Sequence, residues 1–210
     1  MKKPLPIGVD NFKKMIADGY YYIDKTMFIK ELVDLKGEVN LFTRPRRFGK
    51  TLNLSMLRYF FEDTGNKEGN EQNKALFQGM KIMEAGEGCT NQMGMYPVFE
   101  LTLKSAKQED YDMAYYMIQT AVSTEFERHR VIVEHGKEFL SVREYEQYTA
   151  IADGKAEEKT VRNSLQLFCQ CMHKITGKNT VILIDEYDVP LESAYFRGFY
   201  EKMVGLIRSL

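Results

Sequence analysis

Cysteine and histidine are both scarce in this chain of 210 residues, three of each, and neither is arranged to hold a metal. Cys169 and Cys171 are separated by one residue on an expected helix, so their sulfurs project from different faces. Neither Cys89 nor His129, His135 and His173 completes a four-ligand set around them. A zinc site is therefore not expected, and the thiols read as reduced structural groups. Also missing is any apolar run near the roughly 20 residues that cross a bilayer. After Lys2 and Lys3, the residues Pro4, Pro6, Gly8 and Asp10 interrupt the apolar stretch that a secretion signal requires. A cytoplasmic location with no membrane partner is the expectation. Nor is there an excess of charge of either sign: the formal net charge is −1, which leaves no global electrostatic footprint for nucleic acid. What remains is a chain of a size that suits one α/β domain, able to bury roughly two thirds of its unfolded surface.

The most informative stretch is Arg44-Pro45-Arg46-Arg47-Phe48-Gly49-Lys50-Thr51. It lies between the apolar run Val39-Asn40-Leu41-Phe42, read as a strand, and the helix-like run Leu52 to Phe61. Strand, loop and helix come in the order of a phosphate cradle. In the pattern G-x-x-x-x-G-K-[ST], backbone amides wrap the phosphates, the lysine neutralises β and γ oxygens, and the hydroxyl ligates Mg²⁺. Lys50 and Thr51 fill those last two roles, and the amides of Phe48, Gly49 and Lys50 complete the cradle. The opening glycine is absent, because position 44 holds arginine and Pro45 pushes it toward extended geometry. The front of the loop must be shaped in another way. Arg46 and Arg47 read equally as a charge clamp or arginine finger on a γ-phosphate, or as salt-bridge partners of Asp188 or Glu186.

A second site is written near the other end, in Thr180-Val181-Ile182-Leu183-Ile184-Asp185-Glu186-Tyr187-Asp188. Four consecutive apolar residues between Gly177 and a group of acids read as a strand buried on both faces of a parallel sheet. Asp185 then stands at the strand's carboxyl end, where open α/β sheets place ligands. From there it can hold Mg²⁺, while Glu186 polarises an attacking water. This is the Walker B division of labour in phosphoryl transfer.

With both sites in view, the chain resembles the bacterial AAA-ATPase-like proteins, a P-loop family often followed by a PD-(D/E)XK nuclease-like domain. The resemblance begins at Leu5-Pro6-Ile7-Gly8-Val9-Asp10-Asn11-Phe12 and continues through Gly19 to Thr26 and Phe28-Ile29. It then takes in Arg44 to Thr51, Leu76-Phe77-Gln78-Gly79, Tyr96-Pro97-Val98 and Asp185 to Leu191. It covers nearly the whole chain, and Arg44 in place of glycine fits the family's own pattern. The resemblance implies a three-layer P-loop NTPase parallel sheet with ATP and Mg²⁺ as cofactors, and slow hydrolysis used as a conformational switch. Relatives run on past the segment like Gly198 to Met203 into strands that sense the γ-phosphate. The expectation is therefore an incomplete sheet, truncated after the Walker B helix, with an exposed apolar gap and no nuclease-like domain.

Along the chain, residues 1–36 read as an N-terminal segment, followed by a partial core over 37–210 with a helical insertion at about 107–176. Asp24 and Thr26 are placed to cap a helix with Phe28, Leu32 and Leu35 on its buried face. Residues 63–73 and 84–95 read as loops, and Tyr96 to Leu103 as a strand. Long helices follow from Tyr111, from Lys137 and from Glu157, with Tyr115, Ile118, Val122 and Phe126 on one stripe and Phe139, Val142 and Tyr145 on another. Val161, Leu165, Phe168 and Met172 form a third stripe, and the charged stretch Glu125 to Arg130 reads as a solvated helix face. A final helix is expected over Glu192 to Leu210, with Phe196 on its inner side. Two other functions stay open: an interaction module with little turnover, as a homo-oligomer or with a protein partner, and a nucleic-acid-associated ATPase using Arg44, Arg46, Arg47 and Arg58.

Overall fold

The computed structural model describes residues 3–43 and 48–210. It is a mixed α/β structure of many helices and one small parallel sheet of two strands. The chain divides into two compact units, residues 1–98 and 99–210.

The first unit is helical. It contains α1 (Phe12–Ala17), α2 (Met27–Leu35), α3 (Lys50–Phe61), α4 (Lys67–Ala75), a 3₁₀ turn over Lys81–Glu84 and α5 (Glu87–Thr90). Asn11 starts α1 by accepting the N–H of Lys14, and Asn66 starts α4 by accepting that of Gly69 at 2.7 Å, each satisfying an amide that a helix start leaves without an intrahelical acceptor. The core is built around α3: Met56, Leu57 and Phe60 are buried with Phe12, Ile29, Phe77 and Ile82. The Phe77 ring lies 5.0 Å from that of Phe12 and 5.4 Å from that of Phe60. Three polar contacts then set the position of α3. The Ser55 hydroxyl accepts the buried N–H of Phe12 at 3.0 Å, the Asn11 amide donates to the Tyr59 hydroxyl at 3.2 Å, and the Tyr22 hydroxyl donates to Met56 Sδ at 3.4 Å.

Asp24 and Thr26 do something other than the helix capping expected of them. Asp24 Oδ1 accepts both the N–H and the hydroxyl of Thr26, at 2.8 and 2.6 Å, while Oδ2 accepts the N–H of Lys81 at 2.8 Å. Thr26 is fully buried, and its hydroxyl accepts the N–H of Ile82 at 3.2 Å. The pair is a staple between the start of α2 and the 3₁₀ turn. Burial alone would raise the Asp24 carboxyl, but the donors from Lys81 and Thr26 outweigh it and hold it below the ordinary carboxylate range. On α2 the buried residue is Ile29, while Leu35 is exposed. The run Val39–Phe42 forms no strand, and Val39 is 91% and Leu41 67% exposed. Alternating apolar residues make a strand only where a neighbouring strand takes their backbone groups, and no such partner exists among the described residues. The segment expected as a loop after α3 contains α4, whose cap at Asn66 was the missed signal.

The second unit carries the sheet. Strand β1 (Val98–Thr102) precedes α6 (Tyr111–Arg128), α7 (Arg130–His135), α8 (Val142–Ala152), α9 (Glu158–Val161) and α10 (Ser164–Thr176). Strand β2 (Val181–Asp185) is followed by α11 (Val189–Arg197) and α12 (Tyr200–Ser209). The core joins Phe99, Leu101 and Leu103 to Ile118, Val122, Phe126, Tyr148, Phe168 and Met172. The ring of Phe168 sits 4.8 Å from Phe99 and 5.4 Å from Phe126, in the edge-to-face arrangement aromatic quadrupoles favour. Of the stripe expected on α6, Ile118, Val122 and Phe126 are buried and Tyr115 partly so; the helix expected from Glu157 is two, with buried Val161 on α9 and, on α10, Phe168 and Met172 buried and Leu165 partly so. On α8 the expected stripe is not buried: Phe139 and Val142 are exposed, and Tyr148 and Ile151 face the core. The start of α8 is set by a capping box between Ser141 and Glu144. Glu144 also accepts Lys174 Nζ at 2.7 and 2.8 Å, and that pairing, added to the Ser141 bonds, holds its carboxyl down at about 2.

Three further expectations change here. The charged stretch on α6 is not a solvated face. Glu125 is buried, pairs with Arg128 at 2.6 Å, and accepts the N–H of Glu100 in β1 at 2.9 Å. A side-chain carboxylate thus covers the outer edge of β1, a way of blunting an exposed strand edge. The apolar run of β2 is buried on one face only: Leu183 is buried, whereas Ile182 and Ile184 are 40% and 41% exposed. The final helix is two helices, because Gly198 takes a left-handed backbone (φ 81°) that ends α11. Phe196, on α11 before the break, is 75% exposed and not on an inner side.

Candidate functional site

The sequence singled out eight residues, and the structure groups those it describes into two clusters. In the first unit, Gly49 sits at the N-cap of α3 with φ 76° and ψ 28°. A β-carbon added to that glycine would meet nothing among the described residues within 4 Å, and its left-handed backbone is one that glycine adopts without steric cost. Its carbonyl accepts the N–H of Asn53 at 3.0 Å, which opens the helix. Lys50 and Thr51 are the first two helical residues. The positive end of the helix dipole lies here. Phe48, just before the glycine, is 63% exposed. Arg46 and Arg47 lie outside the described residues, as do Arg44 and Pro45.

In the second unit, Asp185 is the last residue of β2 and is buried. Its Oδ1 accepts the N–H of Glu186 at 3.0 Å, and its backbone carbonyl accepts the N–H of Leu103 at 3.0 Å. Glu186 has φ 55°, one of two non-glycine residues with a left-handed backbone among those described. For a side chain with a β-carbon that conformation costs roughly 1–2 kcal/mol. The carbonyl of Glu186 accepts the N–H of Val189 at 3.1 Å, so the turn from strand to α11 is closed on both sides of the strained residue. Among the described residues no ion pair engages Glu186 or Asp188. Of the basic residues considered for nucleic acid, Arg58 is occupied: it pairs with Glu62 at 3.3 Å and lies over the Tyr59 ring.

No three carboxylate, imidazole or thiolate groups among the described residues converge as a metal cage. Each unit has one candidate oxygen donor of the kind hard cations take, the Thr51 hydroxyl at a helix start in the first and the Asp185 carboxylate at a strand end in the second. Among the described residues, no helix is long and apolar enough to cross a membrane. The residue that sequence reading missed is Glu125, and its i, i+3 spacing to Arg128 was the available signal.

The mixed α/β chain thus carries a glycine-lysine-threonine helix start in its first unit and an acidic strand end in its second. The pattern of the family described as "Predicted AAA-ATPase" matches residues 6–210, and the chain belongs to that family. It is 30% identical over 193 residues to an "Uncharacterized protein in vnfD 5'region" of Azotobacter chroococcum mcd 1. That match covers 90% of this chain and 30% of the relative, so the chain spans about a third of the relative's length. No solved structure matches the chain significantly.

Proposed function

We propose that the chain binds ATP with Mg²⁺ on a P-loop-type core and uses slow hydrolysis as a conformational switch. The observation that carries this reading is Gly49 in the left-handed region at the start of α3, with Lys50 and Thr51 in the first turn behind it. A helix start of this kind presents backbone amides to an anion and brings a cation and a hydroxyl with them. Lys50 would neutralise the β and γ phosphates, and the Phe48, Gly49 and Lys50 amides would cradle them. Thr51 and Asp185 would hold Mg²⁺, which supplies charge neutralisation between the phosphates. Glu186 would orient the attacking water. Arg46 and Arg47 are proposed as a clamp on the γ-phosphate. In this reading the two parallel strands form part of a three-layer P-loop sheet.

The exposed Val39 and Leu41, outside any strand, favour a second reading. The chain would then be an interaction module that binds nucleotide and does not turn it over. Calorimetric titration of the chain with a non-hydrolysable ATP analogue and Mg²⁺, beside Lys50→Ala, tests the first step. Micromolar binding that Lys50→Ala abolishes is the expected result. No binding by folded wild-type chain would sink the proposal. Phosphate release by wild type and Glu186→Gln then separates the two readings, since loss of turnover with retained binding is expected of an ATPase alone.

A further inference from the structure

The two edges of the small sheet are finished differently. Leu103 donates its N–H to the Asp185 carbonyl at 3.0 Å, which fixes the direction of the backbone groups along both strands. Successive residues of a strand turn their N–H and C=O groups to opposite edges. Those of Leu183 and Asp185 therefore point to β1, and those of Ile182 and Ile184 point away from it. The same alternation on β1 turns the Glu100 N–H outward, where the Glu125 carboxylate accepts it at 2.9 Å. On the β2 side, the outward groups of Ile182 and Ile184 meet no partner among the described residues. Such a row of groups is a template for another strand.

The side chains at that edge are apolar. In the parallel register Phe99 is level with Ile182 and Leu101 with Ile184, and residues at one level project to the same side. Phe99 packs against Phe126 of α6 and Phe168 of α10. Ile182 and Ile184, 40% and 41% exposed, carry the same apolar side out to the open edge.

Charge indicates what fits there. Lys178 stands before the strand, and Glu186 and Asp188 stand after it. Lys178 and Asp188 are exposed, and among the described residues no ion pair engages either. A second β2 laid antiparallel about a two-fold axis at Leu183 sets Ile182 of each copy opposite Ile184 of the other. Each such pair exchanges both of its hydrogen bonds, so all four outward groups of each strand are used. Four isoleucine side chains then meet on one side of the sheet, and the Lys178 end of each strand lies beside the Glu186–Asp188 end of the other. A parallel second strand would instead set like charges side by side, and a head-to-tail contact does not close on itself as a two-fold one does.

We propose that β2 is the interface of a homodimer, in which two copies of the chain join edge to edge into one four-stranded sheet. The proposal is independent of the nucleotide reading, since it uses none of the phosphate or metal contacts proposed above.

The test is sedimentation equilibrium of the chain from about 10 to 500 μM, with residue-level amide exchange at both ends of that range and thermal melting of each variant. Wild type is expected to dimerise, with exchange of the Ile182 and Ile184 amides slowing as concentration rises. Ile184→Lys should raise the dimer dissociation constant at least tenfold, because it places a charge among the paired isoleucines. Lys178→Glu should raise it about threefold by setting acid beside acid, and Lys178→Glu combined with Asp188→Lys should recover affinity. Both single changes are at exposed positions, so the melting temperature of the monomer should hold. A wild type that stays monomeric throughout overturns the proposal and leaves the edge to a different occupant. So does a dimer that Ile184→Lys leaves unchanged, one whose Ile182 and Ile184 amides exchange at the same rate at both concentrations, or a double variant no tighter than Lys178→Glu.

Discussion

The two clusters of candidate residues are held by opposite means. Gly49, Lys50 and Thr51 begin a helix whose later turns are locked: Ser55, Met56 and Tyr59 are tied to the N-terminal segment and Phe60 is fully buried. Asp185 and Glu186 end a strand that has one neighbour in its sheet and an exposed isoleucine face. The first cluster takes its conformation from a glycine, which adopts the left-handed region without penalty. At the second, Glu186 takes the same region at a conformational cost, held there by bonds on either side. The phosphate end of α3 is thus relaxed and set by packing behind it, while the acidic end is strained and set by its own turn. Strain of this kind persists where the surroundings over-determine it, and it is found at functional sites.

Core truncations should break the comparison most strongly. Phe60→Ala in the first unit and Phe168→Ala in the second each remove a fully buried ring, and each is expected to cost about 3–5 kcal/mol in urea unfolding. If the units melt separately, each variant should lower one transition and spare the other. A single shared transition would instead show that the two regions fold as one.

A smaller effect is expected at the staple in the first unit. Asp24→Ala leaves the amide of Lys81 and both donors of Thr26 without their acceptor, and should cost about 1–3 kcal/mol. The Asp24 carboxyl is lowered on folding, so its contribution is present above its unfolded value of 3.8 and is lost as pH falls through the lower folded value. Wild type should therefore lose stability over that acid window, and Asp24→Ala should flatten the loss. Equal acid limbs in the two proteins would contradict the staple.

The smallest expected change sharpens the contrast at the acidic turn. Glu186→Gly relieves the left-handed backbone and should raise stability by roughly 1 kcal/mol in thermal or urea unfolding. Under the proposed function it should also abolish phosphate release. A variant both more stable and inactive would identify Glu186 as a residue kept for chemistry against its conformational preference. A destabilised one would mean that its side chain supports the turn.

Much of the second unit was legible because its signals are local or periodic. The stripe Ile118, Val122, Phe126 follows helical spacing, and β1 and β2 stand where Pro97 and the acidic group bounded apolar runs. The misreadings share a cause. Val39–Phe42 and Ile182–Ile184 have the composition of buried strands, yet burial depends on what packs beside them, which is a nonlocal fact. Glu125 and Arg128 have the composition of a solvated face, and only the position of β1 turned them into a buried pair capping its edge.

By itself the sequence determined the glycine at the start of α3, the lysine and threonine after it, the acidic pair after an apolar strand and the family to which they belong. These are matters of residue type and spacing, and the conformational freedom of Gly49 is intrinsic to the residue. Tertiary structure alone decided that Asp24 and Thr26 fasten the 3₁₀ turn at Lys81 and that Glu186 is strained. Each of these depends on contacts between segments far apart in the chain or on the geometry of a particular turn, and residue spacing does not encode them.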